Sequence, residues 1–98
     1  MPADPTAPSD PDAHLMGEAA RGSDQALRML VERWQGPLMN FFYRSVRDHG
    51  AAEDLAQQTF VKLYRAAPQY EARARFSTYL FHIARRVLIS EHRRARIR

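Results

Sequence analysis

Residues 76–89 read FSTYLFHIARRVLI, and on a helix they separate into two unlike faces. At about 100° per residue, one face is apolar and consists of Phe76, Leu80, Ile83, Ala84 and Val87. The opposite face, followed to the end of the chain, carries Thr78, His82, Arg85, Arg86, Ile89, Arg93 and Arg96. The apolar spacing predicts an amphipathic helix. Its basic face has the width of a helix that enters a duplex major groove, where arginines reach phosphates and guanine edges.

Aromatic and basic side chains alternate just before this helix and at its start. They are Tyr70, Arg73, Arg75, Phe76 and Tyr79. Such interleaving is typical of single-stranded nucleic-acid binding, because cations follow the backbone while rings stack on unpaired bases. Core packing is the alternative for the rings. It is favoured for Phe76, stays open for Tyr79, and is weakest for Tyr70, which falls in a connector.

A second helix with two faces is predicted over residues 51–66, ending before Pro68. Its apolar stripe consists of Ala52, Ala56, Phe60, Leu63 and Ala67. The opposite face carries Asp54, Gln57, Gln58, Val61 and Arg65. This face is either an ordinary solvated surface or a protein interface, and two amides beside an exposed valine suit hydrogen bonding across an interface.

Helical signals also dominate the first half of the chain. We predict a short helix from Asp12 to Arg21 that Gly22 ends, then a long helix with Ser23 as its N-cap. Pro37 predicts a kink or a break in that helix, and residues 48–50 predict a turn. Strand-like alternation is not found, so the sequence predicts an all-α fold, a compact bundle of three to four helices.

Charge and composition divide the chain further. Residues 1–11 contain four of the six prolines and predict a disordered, acidic arm, so we expect the folded domain to span residues 12–98. The net charge is +4, but residues 73–98 hold eight arginines against one acid, Glu91. This gradient indicates either a polyanionic partner for the last quarter or a solubilising tail.

Several functional classes lack the residues they need. The chain has no cysteine, which excludes disulfides and thiolate chemistry. It has neither an apolar run of membrane-spanning length nor a secretory leader pattern, so we expect a cytoplasmic protein. The histidines lack metal-ligand spacing, the glycines are scattered, and no nucleophile–base pair is found. We therefore predict a protein that is not an enzyme and uses no cofactor or metal.

Two motifs in this order, AEDLAQQTF at 52–60 and FSTYLFHIARR at 76–86, resemble domain 2 of bacterial sigma factors, and most closely the extracytoplasmic-function (ECF) class. The resemblance covers roughly residues 12–98. It implies an all-helical domain, monomeric when free, that binds the clamp helices of the RNA polymerase β′ subunit. On this basis Asp54, Gln57 and Gln58 would donate or accept hydrogen bonds to polymerase, with Val61 and Arg65 bordering the contact.

The resemblance also implies recognition and melting of the promoter minus-ten element. An unstacked base would be captured by Tyr70, Arg73, Arg75, Phe76, Ser77, Thr78 and Tyr79. The upstream duplex would be faced by His82, Arg85, Arg86, Ile89 and Arg93. Melting would then follow from tighter binding to the strand-separated state than to the duplex.

The chain departs from the family pattern in two respects. Many relatives carry Asn at the position of Arg86, and primary sigma factors carry tryptophans at His82 and Ile83, so we expect a different base preference and weaker, more sequence-demanding melting. The chain ends at Arg98, before the linker and the second helical domain that reads the minus-thirty-five element, as expected of an excised domain or an incomplete sequence.

Two other functions stay open. The domain could act mainly as a docking module for an anti-sigma factor, which needs exposed apolar side chains near Val61 and the first two helices. It could also be a generic basic DNA-binding domain without polymerase contact, in which case Asp54→Ala and Gln57→Ala would leave function intact.

Overall fold

Four α-helices make up the domain in a computed structural model that describes residues 10–97. They are α1 (Pro11–Ala20), α2 (Asp24–Val46), α3 (His49–Ala66) and α4 (Phe76–Ile97), with a 3-10 turn at Ala67–Gln69. This confirms the predicted all-α bundle. Of the predicted arm, residues 1–9 lie outside the described residues, whereas Asp10 and Pro11 belong to the folded domain as the cap and first residue of α1.

The first three helices begin at side chains that cap them. Asp10, Ser23 and Asp48 accept hydrogen bonds from the backbone N–H groups three residues later, which satisfies donors that the first helical turn leaves free. Gly22, with φ of 103°, follows α1, and Arg47, with φ of 55°, follows α2. The turn predicted at residues 48–50 is therefore displaced, because Asp48 is already the cap and α3 begins at His49.

Pro37 lies inside α2 without breaking it. Proline removes one N–H from the helical ladder, and the carbonyl that loses its partner belongs to Arg33, an exposed residue one turn earlier. Core residues on both sides, Leu30 before and Leu38 after, are fully buried. The packing of both halves against one core keeps the helix continuous, so of the kink or break expected at Pro37, the break is excluded.

The core is built from one face of each helix. Its largest fully buried side chains are Phe42, Phe76, Met16, Leu30, Leu38, Leu63, Leu80, Val87 and Thr59. Helix α3 packs against both α2 and α4, so its buried sector is wider than the predicted stripe and includes Leu55 and Thr59. The Thr59 hydroxyl donates to the Leu55 carbonyl at 2.8 Å, and Phe60, predicted as core, is only partly buried.

A polar cluster ties α1 to α2 beside this core. Asp12 is a buried residue, and its carboxylate accepts from Arg33 at 2.6 Å and from the Trp34 indole N–H at 3.1 Å. The Trp34 ring in turn lies 6.0 Å from the Phe76 ring, which connects the cluster to the start of α4. Within residues 10–97, no helix combines the length and the hydropathy that a membrane span requires.

Candidate nucleic-acid interface

A surface pocket of about 530 Å³ opens where the 3-10 turn, the loop of residues 70–75 and the first turns of α4 meet. Its walls consist of Ala66, Gln69, Tyr70, Glu71, Arg73, Ala74, Thr78, Tyr79 and His82. Tyr70, Arg73, Thr78, Tyr79 and His82 were predicted from the sequence as DNA-contacting residues. The fold therefore brings a connector and a helix start together into one concave site.

Two tyrosines form the aromatic wall of this pocket. The rings of Tyr70 and Tyr79 are 5.0 Å apart between centroids at an interplanar angle of 65°. Burial raises the pKa of both phenols, and for Tyr70 the Asp10 carboxylate and then Tyr79 raise that pKa further. Both rings are therefore neutral at physiological pH, which suits stacking on a base because they add no negative charge beside phosphates.

Phe76 does not belong to the exposed surface. Its side chain is 0% exposed and packs behind the pocket, with its ring 6.3 Å from the Tyr79 ring. This burial favours the core-packing alternative for Phe76 over a side-chain contact with DNA, because the apolar face of α4 begins at this residue and its ring belongs to the core. Phe76 instead supports Tyr79 from inside.

The rim of the pocket is charged and includes residues that the sequence analysis missed. Arg73 Nε donates to Glu71 Oε1 at 2.9 Å, and both side chains are exposed, so a phosphate has to compete only with a weak surface ion pair. Gln69 and Glu71 were missed because a connector has no periodicity that assigns a face. Arg75 is exposed and Ser77 is half-buried, and neither lines the pocket.

The predicted basic face of α4 points outward. His82, Arg85, Arg86 and Arg93 are exposed, and Ile89 is 45% exposed among them. His82 belongs to both surfaces, since it lines the pocket and also begins the exposed face. The pocket and the basic face, which we call the capture pocket and the α4 basic face, are therefore continuous.

Helix α3 presents a second, separate surface. The predicted residues Asp54, Gln57, Val61 and Arg65 are exposed and Gln58 is half-buried, and together with Lys62 they line a depression of about 310 Å³. Gln58 Nε2 donates to Asp54 Oδ2 at 2.9 Å, so the acid and the amide pair across one turn of the helix. We call this surface the α3 polar face.

Apolar side chains are exposed on and near the α3 polar face. Val61 is 47% exposed and Tyr64 is 59% exposed. A shallow groove of about 180 Å³ between α2 and α3 adjoins the face and shares Gln57 with it. Tyr64 was missed, although its spacing of three residues from Val61 places both on one side of a helix.

The fold and the two surfaces define a class: a small all-helical domain with one face suited to nucleic acid and another suited to a protein. The sequence model of Sigma-70 region 2 matches residues 30–97, and the chain belongs to this family. The predicted resemblance is thereby confirmed.

Named relatives agree with this assignment. The RNA polymerase sigma-H factor of Pseudomonas aeruginosa is 34% identical over 74% of this chain and 38% of its own length. The ECF sigma factor SigC of Mycobacterium tuberculosis is 35% identical over 82% of this chain and 43% of its own. The chain thus spans about two fifths of the length of these relatives.

A solved structure has the same fold. It is the NMR structure of the complex formed by an engineered region 2 of sigmaE with GTAAAA, and its TM-score to this chain is 0.73. The identity is 31%, and the match covers 85% of this chain and 90% of the other.

Proposed function

We propose that this chain is a transcription initiation domain that binds RNA polymerase core through the α3 polar face and recognises and melts the promoter minus-ten element. On this proposal it works in the cytoplasm, is monomeric when free and catalyses no reaction itself. The observation that carries the proposal is the continuity of the capture pocket with the α4 basic face, through His82. Duplex DNA and an extruded base can therefore be held side by side.

The two DNA surfaces act on different forms of the promoter. Exposed arginines along the α4 basic face attract the phosphates of either form. The capture pocket, in contrast, admits a base only after that base has left the duplex stack. Because the pocket binds the open form alone, occupancy shifts the equilibrium toward strand separation.

The energies involved are of comparable size. Extruding a base costs a few kcal/mol, and stacking on one aromatic ring returns about 1–3 kcal/mol. The neutral rings of Tyr70 and Tyr79 supply this stacking, and the exposed Arg73 and Arg75 supply phosphate contacts. Since the balance is close, melting by this domain depends on correct placement by polymerase and on the identity of the captured base.

Polymerase binding is assigned to the α3 polar face. Its hydrogen-bonded Asp54–Gln58 pair and the exposed Gln57 offer a carboxylate and amides, while Val61, with Tyr64 beside the face, offers apolar contact. Partly apolar surfaces with paired polar groups are typical of protein interfaces. The similar solved structure, an engineered region 2 of sigmaE, is a complex with GTAAAA, and this similarity supports the DNA assignment.

A direct experiment measures both bindings on the intact chain. The probes are the single-stranded hexanucleotide GTAAAA and its sequence variants, each with a matching oligonucleotide that carries an abasic site. Fluorescence anisotropy should show tighter binding to the preferred intact hexanucleotide than to its abasic form. Co-purification with core RNA polymerase tests the other face. Equal affinity for the abasic and intact oligonucleotides would contradict base capture, and absence of polymerase from the co-purified fraction would contradict the core-binding assignment.

Docking of an anti-sigma factor is the second candidate, and one observation favours it. The exposed Val61 and Tyr64, with the groove between α2 and α3, provide the apolar surface that such a partner needs. A partner on this surface would compete with polymerase. A generic DNA-binding domain without polymerase contact has no use for this surface, and the tests on Asp54 and Gln57 given in the Discussion distinguish it.

A further inference from the structure

The Asp10 carboxylate joins the starts of two helices that are far apart in sequence. Its Oδ1 accepts from the backbone N–H of Ala13 at 3.2 Å in the first turn of α1. Its Oδ2 accepts from the backbone N–H of Phe76 at 2.8 Å, across 66 residues of sequence. Asp10 is only 7% exposed, so both bonds are made away from water, where an unpaired polar group is costly.

The second bond bears directly on the capture pocket. Phe76 is the first residue of α4, and helix starts leave N–H groups that need an acceptor. The residue immediately before α4 is Arg75, whose side chain has no acceptor atom. Asp10 supplies an acceptor from another part of the chain, and so fixes the start of the helix that carries Tyr79.

The same carboxylate also lies close to the other wall of the pocket. After burial, the Asp10 charge is the next cause that raises the pKa of Tyr70. Tyr70 belongs to the loop that faces the start of α4, and its ring meets the Tyr79 ring. Asp10 therefore bonds to the backbone at the start of the helix that carries Tyr79, and its charge acts on Tyr70, the other aromatic wall.

We infer that Asp10 is a positioning residue for base capture, which holds the start of α4 at the spacing from Tyr70 that a base requires. The inference rests on the proposed function. It extends the functional unit beyond residues 30–97, which the family match covers, because Asp10 comes before that range. The N-terminal residue acts through Phe76 and Tyr79, and it does not contact DNA itself.

The test uses two substitutions in the full chain. Asp10→Ser keeps a hydroxyl that can cap α1 but removes the second oxygen, and with it the bond to Phe76. Ser23→Ala is the matched control, because it removes the cap of α2 and destabilises the domain without touching the capture pocket. Circular dichroism and thermal unfolding confirm that both variants fold at the assay temperature.

The first readout is the ratio of affinities for the preferred single-stranded hexanucleotide and the same oligonucleotide with the captured base removed. One stacked base corresponds to a ratio on the order of tenfold in the parent chain. We expect Asp10→Ser to reduce this ratio to about twofold or less, which corresponds to loss of most of the stacking contribution. We expect Ser23→Ala to preserve the ratio. General loss of stability would not change the ratio selectively, so the comparison isolates positioning.

The second readout does not depend on DNA. Amide hydrogen exchange followed by NMR should show that the Asp10→Ser variant selectively loses protection of the Phe76 N–H. The pKa of Tyr70 should also fall in this variant, because the Asp10 charge that raises it is gone. The Tyr70→Phe variant identifies the Tyr70 signal in the titration. An unchanged affinity ratio in Asp10→Ser would overturn the inference alone. A parent chain without any base-dependent ratio would overturn the proposed function as well.

Discussion

The rings of Tyr70 and Tyr79 meet edge to face, with centroids 5.0 Å apart and planes inclined by 65°. One tyrosine comes from the loop and the other from α4, so their contact defines the corner of the capture pocket. An edge-to-face pair leaves ring surface available on both partners. The pair can therefore accept a further flat ring without first separating.

Tyr79→Ala is expected to weaken binding of a single-stranded hexanucleotide by about 1–3 kcal/mol, the usual contribution of one stacked base. Tyr79→Phe keeps the ring and should bind nearly as well as the parent. Fluorescence anisotropy with intact and abasic oligonucleotides measures the difference. Should Tyr79→Ala retain base-dependent binding equal to that of Tyr79→Phe, stacking on this ring would be excluded.

Sequence periodicity predicted the helices because each buries one stripe. On α4 the buried residues Phe76, Leu80, Ala84 and Val87 all belong to the predicted apolar face. The prediction was less accurate where tertiary packing dominates. Pro37 does not break α2 because both halves are held by one core, and α3 buries Thr59 because its hydroxyl bonds within the helix.

The candidate site was predictable where it lies on a helix and less so where it depends on distant contacts. The exposure of Arg85 and Arg86 follows from the α4 pattern. A role for Asp10 could not be seen, because its bond to Phe76 spans 66 residues and no local pattern records such a contact. Gln69 was missed for a related reason, because its place in the wall of the capture pocket depends on how the 3-10 turn faces α4.

Tyr70→Phe should make the domain more stable. The Tyr70 hydroxyl is buried and has no hydrogen-bond partner among residues 10–97, and such a group costs about 1–3 kcal/mol. Removing only the oxygen should raise the free energy of unfolding by about 1 kcal/mol, which shifts Tm by roughly 4–8 °C in a domain of this size. Calorimetry checks this, and a lowered Tm would mean that the hydroxyl is paired.

Stability should also fall at alkaline pH through the same tyrosines. Burial raises the pKa of Tyr70 and of Tyr79 above the ordinary 10.0. When the pKa of a phenol is higher in the folded protein than in the unfolded chain, its contribution to stability is complete at any pH below the unfolded-chain pKa. That contribution is lost as the pH rises through the folded-state pKa. Urea unfolding between about pH 8 and 11 should show the decline, and Tyr70→Phe should make it shallower. Identical slopes in both proteins would contradict the burial of the Tyr70 phenol.

Two arginines of the α4 basic face should differ in effect. Arg86→Ala is expected to change the preference at one promoter position by about 1–3 kcal/mol, as for loss of a base-edge contact. Arg93→Ala should weaken all sequences alike and reduce the salt dependence of binding by about one phosphate contact. Binding to duplex variants at several salt concentrations measures both. Arg44→Ala, an equal charge change at an exposed position of α2, is the control.

Asp54→Ala and Gln57→Ala should each reduce binding to core RNA polymerase while leaving single-stranded DNA binding unchanged. Asp54 holds the Gln58 amide at 2.9 Å, so its removal deletes a carboxylate and also frees that amide, and we expect a loss of about 1–3 kcal/mol. Glu32→Ala removes an acid from an exposed position of α2 and serves as the control. Co-purification and anisotropy measure the two bindings. If both variants bind polymerase as tightly as Glu32→Ala does, the α3 polar face is not the polymerase contact, and the generic DNA-binding alternative gains support.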